Sequence, residues 1–254
     1  MMDELDLLIK ACRLRGRGDE TVDIGIRDGR IQAIDGELAG RADPTIEAQG
    51  NLVTESFVNP HLHLDKVFTL TLLDDAGDPG LRTLEMMAIK TLETGWQGKV
   101  LAHHARAMAL YPVPYFQKLA ALLAQAAIPI VCDPHTGPLH ARVKELRQES
   151  VVVCLAQDDI SDAYYPYGHN NMLEVAFLAS HLLWMTTRED MEVLYDMVTV
   201  DAAAAMGIEG HTLKVGSPAN LVVLQQPDVL GALRFHQPPM AVISGGKLLE
   251  DLRE

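Results

Sequence analysis

Two histidines separated by a single residue, in Asn59-Pro60-His61-Leu62-His63-Leu64-Asp65-Lys66, carry the plainest chemistry in this chain. They follow an apolar run, Leu52-Val53 through Phe57-Val58, that reads as a buried strand ending in a loop. Side chains two apart on a strand share a face, so both imidazoles would converge there as half of a metal-ligand set. The plainer alternative is one functional histidine beside one packed neighbour. Other polar groups recur where apolar runs end: Asp74-Asp75, His103-His104, His135 and Asp158-Asp159. Of the two adjacent histidines, the pattern assigns His104 to a site and His103 to a strand's other face. One of the carboxylates Asp158 and Asp159 could instead cap the following helix. His135 and His140 lie in a loop, where substrate contact and simple solvation are equal readings. His169, His181, His211 and His236 fall in loops or helices and read as structural or exposed.

These groups need elements to hold them. The segment from Leu7 to Ala48 is expected to form strands and turns, with Asp28-Gly29 as a hairpin turn between 21–26 and 30–34. The C-terminal part repeats the idiom: strands at 221–224 and 241–244, then a Gly245-Gly246 turn and a return through Lys247-Leu248-Leu249. The two β ends are expected to pack as one sandwich with the middle of the chain inserted between them. That middle alternates strand and helix. Strands are expected near His61, Leu72, Val100, Ile130 and Val153, and helices over 82–94, 115–127, 143–148, 171–185, 188–199 and 201–206. Gly95 stops the first helix. Continuous apolar strands alternating with helices indicate parallel β/α units. In such units active groups collect at the C-terminal ends of the strands, where the candidates above fall. The expected divisions are 1–56 and 209–254 for the sandwich and 57–208 for a β/α barrel portion.

Composition narrows the partners. The chain has 254 residues, 48% of them apolar, enough to bury a core. Its net charge of −14 argues against nucleic acid or an anionic membrane surface as partner. Cys12, Cys132 and Cys154 show no paired spacing, and the last two sit in apolar runs as small buried hydrophobes would. An odd cysteine count, an acidic N-terminus without a signal-peptide core and no long apolar run give the expectation of a cytoplasmic protein.

With these residues in place, the sequence resembles the amidohydrolase superfamily, and within it the cytosine deaminase-like branch. The resemblance rests on Phe57-Val58-Asn59-Pro60-His61-Leu62-His63-Leu64-Asp65, on Lys99 through Met108, on Gln157 through Pro166, and on Gly216-Ser217-Pro218-Ala219-Asn220-Leu221-Val222-Val223-Leu224. It implies an α/β fold: a metal-dependent (β/α)8 TIM-type barrel flanked by a β-sandwich built from both termini. It also implies hydrolysis of a carbon–nitrogen bond, not a peptide bond, in a small cyclic amine or amide, with one divalent ion, Zn or Fe. By resemblance His61, His63 and Asp158 are metal ligands, and Asp158 also accepts a proton from water. His104 polarises the reacting centre, and Asp159 and Tyr164 line the substrate pocket. Lys66 either reaches substrate or forms a surface salt bridge. Deamination of a pyrimidine-like ring is the first expectation, with amide or N-alkyl amine hydrolysis second.

Two departures from the family pattern stand out. About 150 residues separate His61 from Met206, whereas a complete barrel takes about 250. The shortfall equals about three β/α units of roughly 30 residues, placed between the first-strand and fifth-strand motifs, near Phe68 to Leu73. The fifth-strand motif, His-x-Asp-Glu in this branch, is matched by Leu72-Leu73-Asp74-Asp75. Leu72 cannot bind metal, and Asp75 stands in the place of the proton-shuttling glutamate. Missing strands would expose sheet edges. The competing reading is therefore a catalytically silent, shortened relative, or a subunit of a homo-oligomer whose second copy completes the barrel.

Overall fold

The computed structural model describes residues 5–40, 42–61, 83–134, 137–158, 160 and 167–251. The chain divides into two compact units, one made of 1–57 with 209–254 and the other of 58–208.

The first unit holds two four-stranded sheets. In one, β1 (Leu7–Arg13), β2 (Thr21–Arg27), β3 (Arg30–Asp35) and β4 (Thr45–Glu47) lie in the order β3-β2-β1-β4. In the other, β5 (Val53–Glu55), β9 (Leu221–Val223), β10 (Ala241–Ser244) and β11 (Lys247–Asp251) lie in the order β11-β10-β9-β5. One core joins them: Leu7, Ile9, Ile24, Ile26 and Ile46 pack with Val53, Leu221, Val223, Ala241 and Ile243. The alternation read from the sequence explains this, since every second residue of β2 and β10 turns inward. Buried Asp23 belongs to this scaffold. Its carboxylate accepts from the amides of Ala11, at a bulge in β1, and of Leu38. The hairpin turns Asp28-Gly29 and Gly245-Gly246 lie back to back. A side-chain carbon on Gly246 would fall 2.6 Å from the Gly29 Cα, and both glycines hold a positive φ.

The second unit contains a parallel sheet, β6 (Ala102–His103), β7 (Ile130–Cys132) and β8 (Val153–Leu155), in that order. Around it run α1 (Thr83–Thr94), α2 (Val113–Gln125), α3 (Val143–Gln148), α4 (Met172–Leu182), α5 (Arg188–Met197) and α6 (Val200–Ala205). Gly95 ends α1 at φ 68°, Pro114 sits in the first turn of α2, and a Thr187/Asp190 capping box opens α5. β7 and β8 are buried on both faces, as strands covered by helices must be. Among the described residues the sheet does not close into a barrel. The expected strand near Leu72 lies outside them.

Two expectations are corrected. The apolar run before His61 does not form one strand leading to the histidines. Its strand, Val53–Glu55, pairs antiparallel with β9 in the first unit, and 56–61 is irregular. A short helix, α7 (Val229–Phe235), also follows β9 where the sequence pattern indicated none. Asp228 caps it, accepting from the Gly231 amide at 2.7 Å.

Candidate metal centre

The site is assembled at the C-terminal ends of the parallel strands. Past β8 the chain continues through Ala156, whose amide donates to Cys132 O, to Asp158, whose amide donates to His61 O at 3.1 Å. The chain around His61 thus lies beside the end of β8. Asn59 fixes this junction, because its side-chain oxygen accepts from the amides of Gln157 and His61. Val58 packs with Val131, Cys154, Ala156 and Ala202 beneath it.

Three side chains converge there. His61 Nε2 lies 3.0 Å from Asp158 Oδ1, and His104 Nδ1 lies 4.0 Å from Asp158 Oδ2. One ligand atom from each of His61, His104 and Asp158 falls within 4.8 Å of the others. Asp158 is almost fully buried, with φ 60°. His104 and Ala105 are also left-handed, at 65° and 51°. Such a backbone is uncommon outside glycine and clusters at functional sites.

The consecutive left-handed pair explains a departure from the sequence reading. Alternation along a strand would send His103 and His104 to opposite faces. The chain turns as β6 ends, with the His104 amide on Val131 O and the Ala105 amide on His103 O. Both rings therefore lie beside His61, with centroids 4.3 Å and 5.1 Å away. His103 is held neutral: burial first, then the neighbouring imidazoles of His61 and His104, lower its pKa to about 4.

Two further residues meet this cluster. Asp133, buried at the end of β7, accepts from Arg106 Nη2 at 2.6 Å, and its Oδ1 lies 2.7 Å from His104 Nδ1. Neither Asp133 nor Arg106 stands out as a site residue in the sequence pattern. A signal existed: Asp133 ends an all-apolar strand as Asp158 does.

Of the residues expected at the site, the structure brings together His61, His104 and Asp158. His63, Lys66, Asp75, Asp159 and Tyr164 lie outside the described residues, as does His135. His211 serves the first unit, its Nε2 bonded to Ser56 O at 2.8 Å.

The pair His61 and Asp158, with His104 beside it, suits a divalent transition metal. Imidazole and carboxylate ligands at about 2.0–2.2 Å are what zinc takes, and a separation near 3 Å between two ligand atoms fits a shared ion at those lengths.

Comparison with known proteins places the chain in a family. A model described as the amidohydrolase family matches residues 70–249, well over half of the chain. The chain belongs to the amidohydrolase family. Among curated relatives, this amidohydrolase is 28% identical over 218 residues to N-isopropylammelide isopropyl amidohydrolase of Pseudomonas sp. strain ADP, covering 84% of this chain and 53% of that one. It is 25% identical over 237 residues to pterin deaminase of Rhizobium rhizogenes, covering 87% and 53%. It thus spans about half the length of these relatives. Among solved structures, 5-methylcytosine deaminase from Klebsiella pneumoniae superposes with a TM-score of 0.84 at 21% identity, over 97% of this chain and 98% of that one. This last likeness concerns the fold.

Proposed function

We propose that this amidohydrolase hydrolyses a carbon–nitrogen bond of a small cyclic amine or amide using one bound divalent ion, zinc or iron. The reading is carried by the convergence of His61, His104 and Asp158 within 4.8 Å at the ends of parallel strands. The curated relatives support the bond type, since their names describe an amidohydrolase and a deaminase. In this reading 57–208 is a partial barrel, shortened internally by about three β/α units, and 1–56 with 209–254 is a β-sandwich.

His61, Asp158 and His63 would hold the ion. When bound, such an ion lowers the pKa of water toward neutrality and polarises the substrate. Asp158 takes the proton released as the nucleophile forms, because its carboxylate is fixed beside His61 and shielded from bulk water. His104 stabilises the charge that develops on the reacting centre. Asp75 delivers the proton to the leaving nitrogen, and Lys66, Asp159 and Tyr164 contact the substrate. A pyrimidine-like ring is the first substrate class to screen, and N-alkyl amines and amides the second.

Elemental analysis of the purified protein tests this. Near-stoichiometric zinc or iron, lost in a His61→Ala, His63→Ala variant, is the expected result. Folded protein that takes up no metal after supplementation would overturn the hydrolase reading and leave a catalytically silent relative.

A further inference from the structure

We infer that Arg106 and Asp133 form a positioning pair that fixes a proton on Nδ1 of His104 and confines the chemistry of that imidazole to Nε2. The inference deepens the proposed function, since it assigns how the polarising histidine is set, and it rests on that reading for its catalytic meaning alone.

Arg106 opens the short 3-10 turn Arg106–Leu110, immediately after the left-handed residues His104 and Ala105. Its Nη2 donates to Asp133 Oδ2 at 2.6 Å. An arginine has donors and no acceptor, so this oxygen of Asp133 must accept. The contact is a charge-assisted one between guanidinium and carboxylate. A carboxylate accepts at both oxygens, and Oδ1 lies 2.7 Å from His104 Nδ1. The proton in that contact therefore sits on Nδ1. Whatever His104 gives or takes passes through its other nitrogen.

The arginine itself is held in place. A side-chain carbon on Gly137 would come within 3.2 Å of Arg106 Nη1, so the glycine lets its backbone lie close to the guanidinium. Asp133 is 3% exposed, while the side chains of Arg106 and His104 that meet it keep 31% and 36% exposure. Such outer partners commonly fix the tautomer and orientation of a working histidine.

The test is long-range proton–nitrogen NMR of the histidine rings in the metal-free full chain, with His104 assigned by its loss in His104→Gln. The expected wild-type spectrum has the protonated-nitrogen shift on Nδ1 of His104. A proton on Nε2 overturns the inference. In Asp133→Asn, whose amide can turn a donor toward the ring, the proton is expected to move to Nε2. An unchanged tautomer also overturns it. Should Asp133→Asn fail to fold, Arg106→Gln keeps the carboxylate and removes the cation. It is expected to mix the two tautomers, and an unmixed Nδ1 pattern there shows that Arg106 has no part. Zinc uptake by the wild-type protein is measured separately, so failure of the hydrolase reading is told apart from failure of this one.

Discussion

Two buried aspartates end neighbouring strands of the same parallel sheet, and the structure uses them differently. Asp133, after β7, is met by a guanidinium and one imidazole. Asp158, after β8, is met among the described residues by the imidazoles of His61 and His104. Both follow all-apolar strands, and both are shielded from solvent. The difference lies in what balances the charge. An arginine on Asp133 fixes an internal ion pair, whose worth is orientation. Imidazoles on Asp158 leave it suited to share a divalent cation. Position at a strand end thus nominates a carboxylate, and its neighbour decides its work.

The same substitution at each aspartate should separate the roles. Asp158→Asn is expected to abolish metal retention and to lower hydrolysis by about 10²–10⁴-fold, the usual worth of a positioned acid or base. Asp133→Asn should keep the metal and cost about 10–100-fold, as for partners one step behind a reacting histidine. Equal losses in kcat/KM would erase the distinction.

Stability should show the opposite order. In metal-free protein, urea unfolding of Asp133→Asn is expected to show a loss of about 1–3 kcal/mol, because Arg106 loses a charge-assisted partner. Asp158→Asn should change stability by about 0.5 kcal/mol or less. It relieves a buried charge, and asparagine accepts the left-handed backbone found there, φ 60°. A loss at Asp158 as large as that at Asp133 would show that both carboxylates are structural.

A pH-dependent effect lies in the same two strands, in the thiols of Cys132 and Cys154. Burial pushes each up to about 12 from the usual 9.0, with Asp133 adding to the shift of Cys132. Between about pH 9 and 12 the unfolded chain releases these protons and the folded chain keeps them, so stability should fall as pH rises through that range. A thiol reagent at pH 8 should react only on unfolding. Rapid labelling of the native protein would show that the strands open locally.

Local features were legible in the sequence and long-range ones were not. Asp28-Gly29, Gly245-Gly246 and the stop at Gly95 are set by turn chemistry within a few residues. The pairing of Val53 with Val223 joins strands far apart in the chain, and nothing near Val53 encodes it. His61, His104 and Asp158 could be nominated from motif and strand end. The approach of His103 depends on two left-handed residues, neither of them glycine, and an alternation rule cannot foresee that turn. Asp133 followed the same rule as Asp158 and lacked only a partner adjacent in sequence.

The pairing of β5 with β9 also sets an order of events during synthesis. The first 57 residues can form their own hairpins, but the apolar face they bury is completed by Leu221, Val223, Ala241 and Ile243. At about 5–20 residues per second, the intervening stretch takes on the order of 10–30 s to emerge. The newborn chain must carry an uncovered β face through that interval, so a translational pause between the two units would be most costly to yield before residue 221.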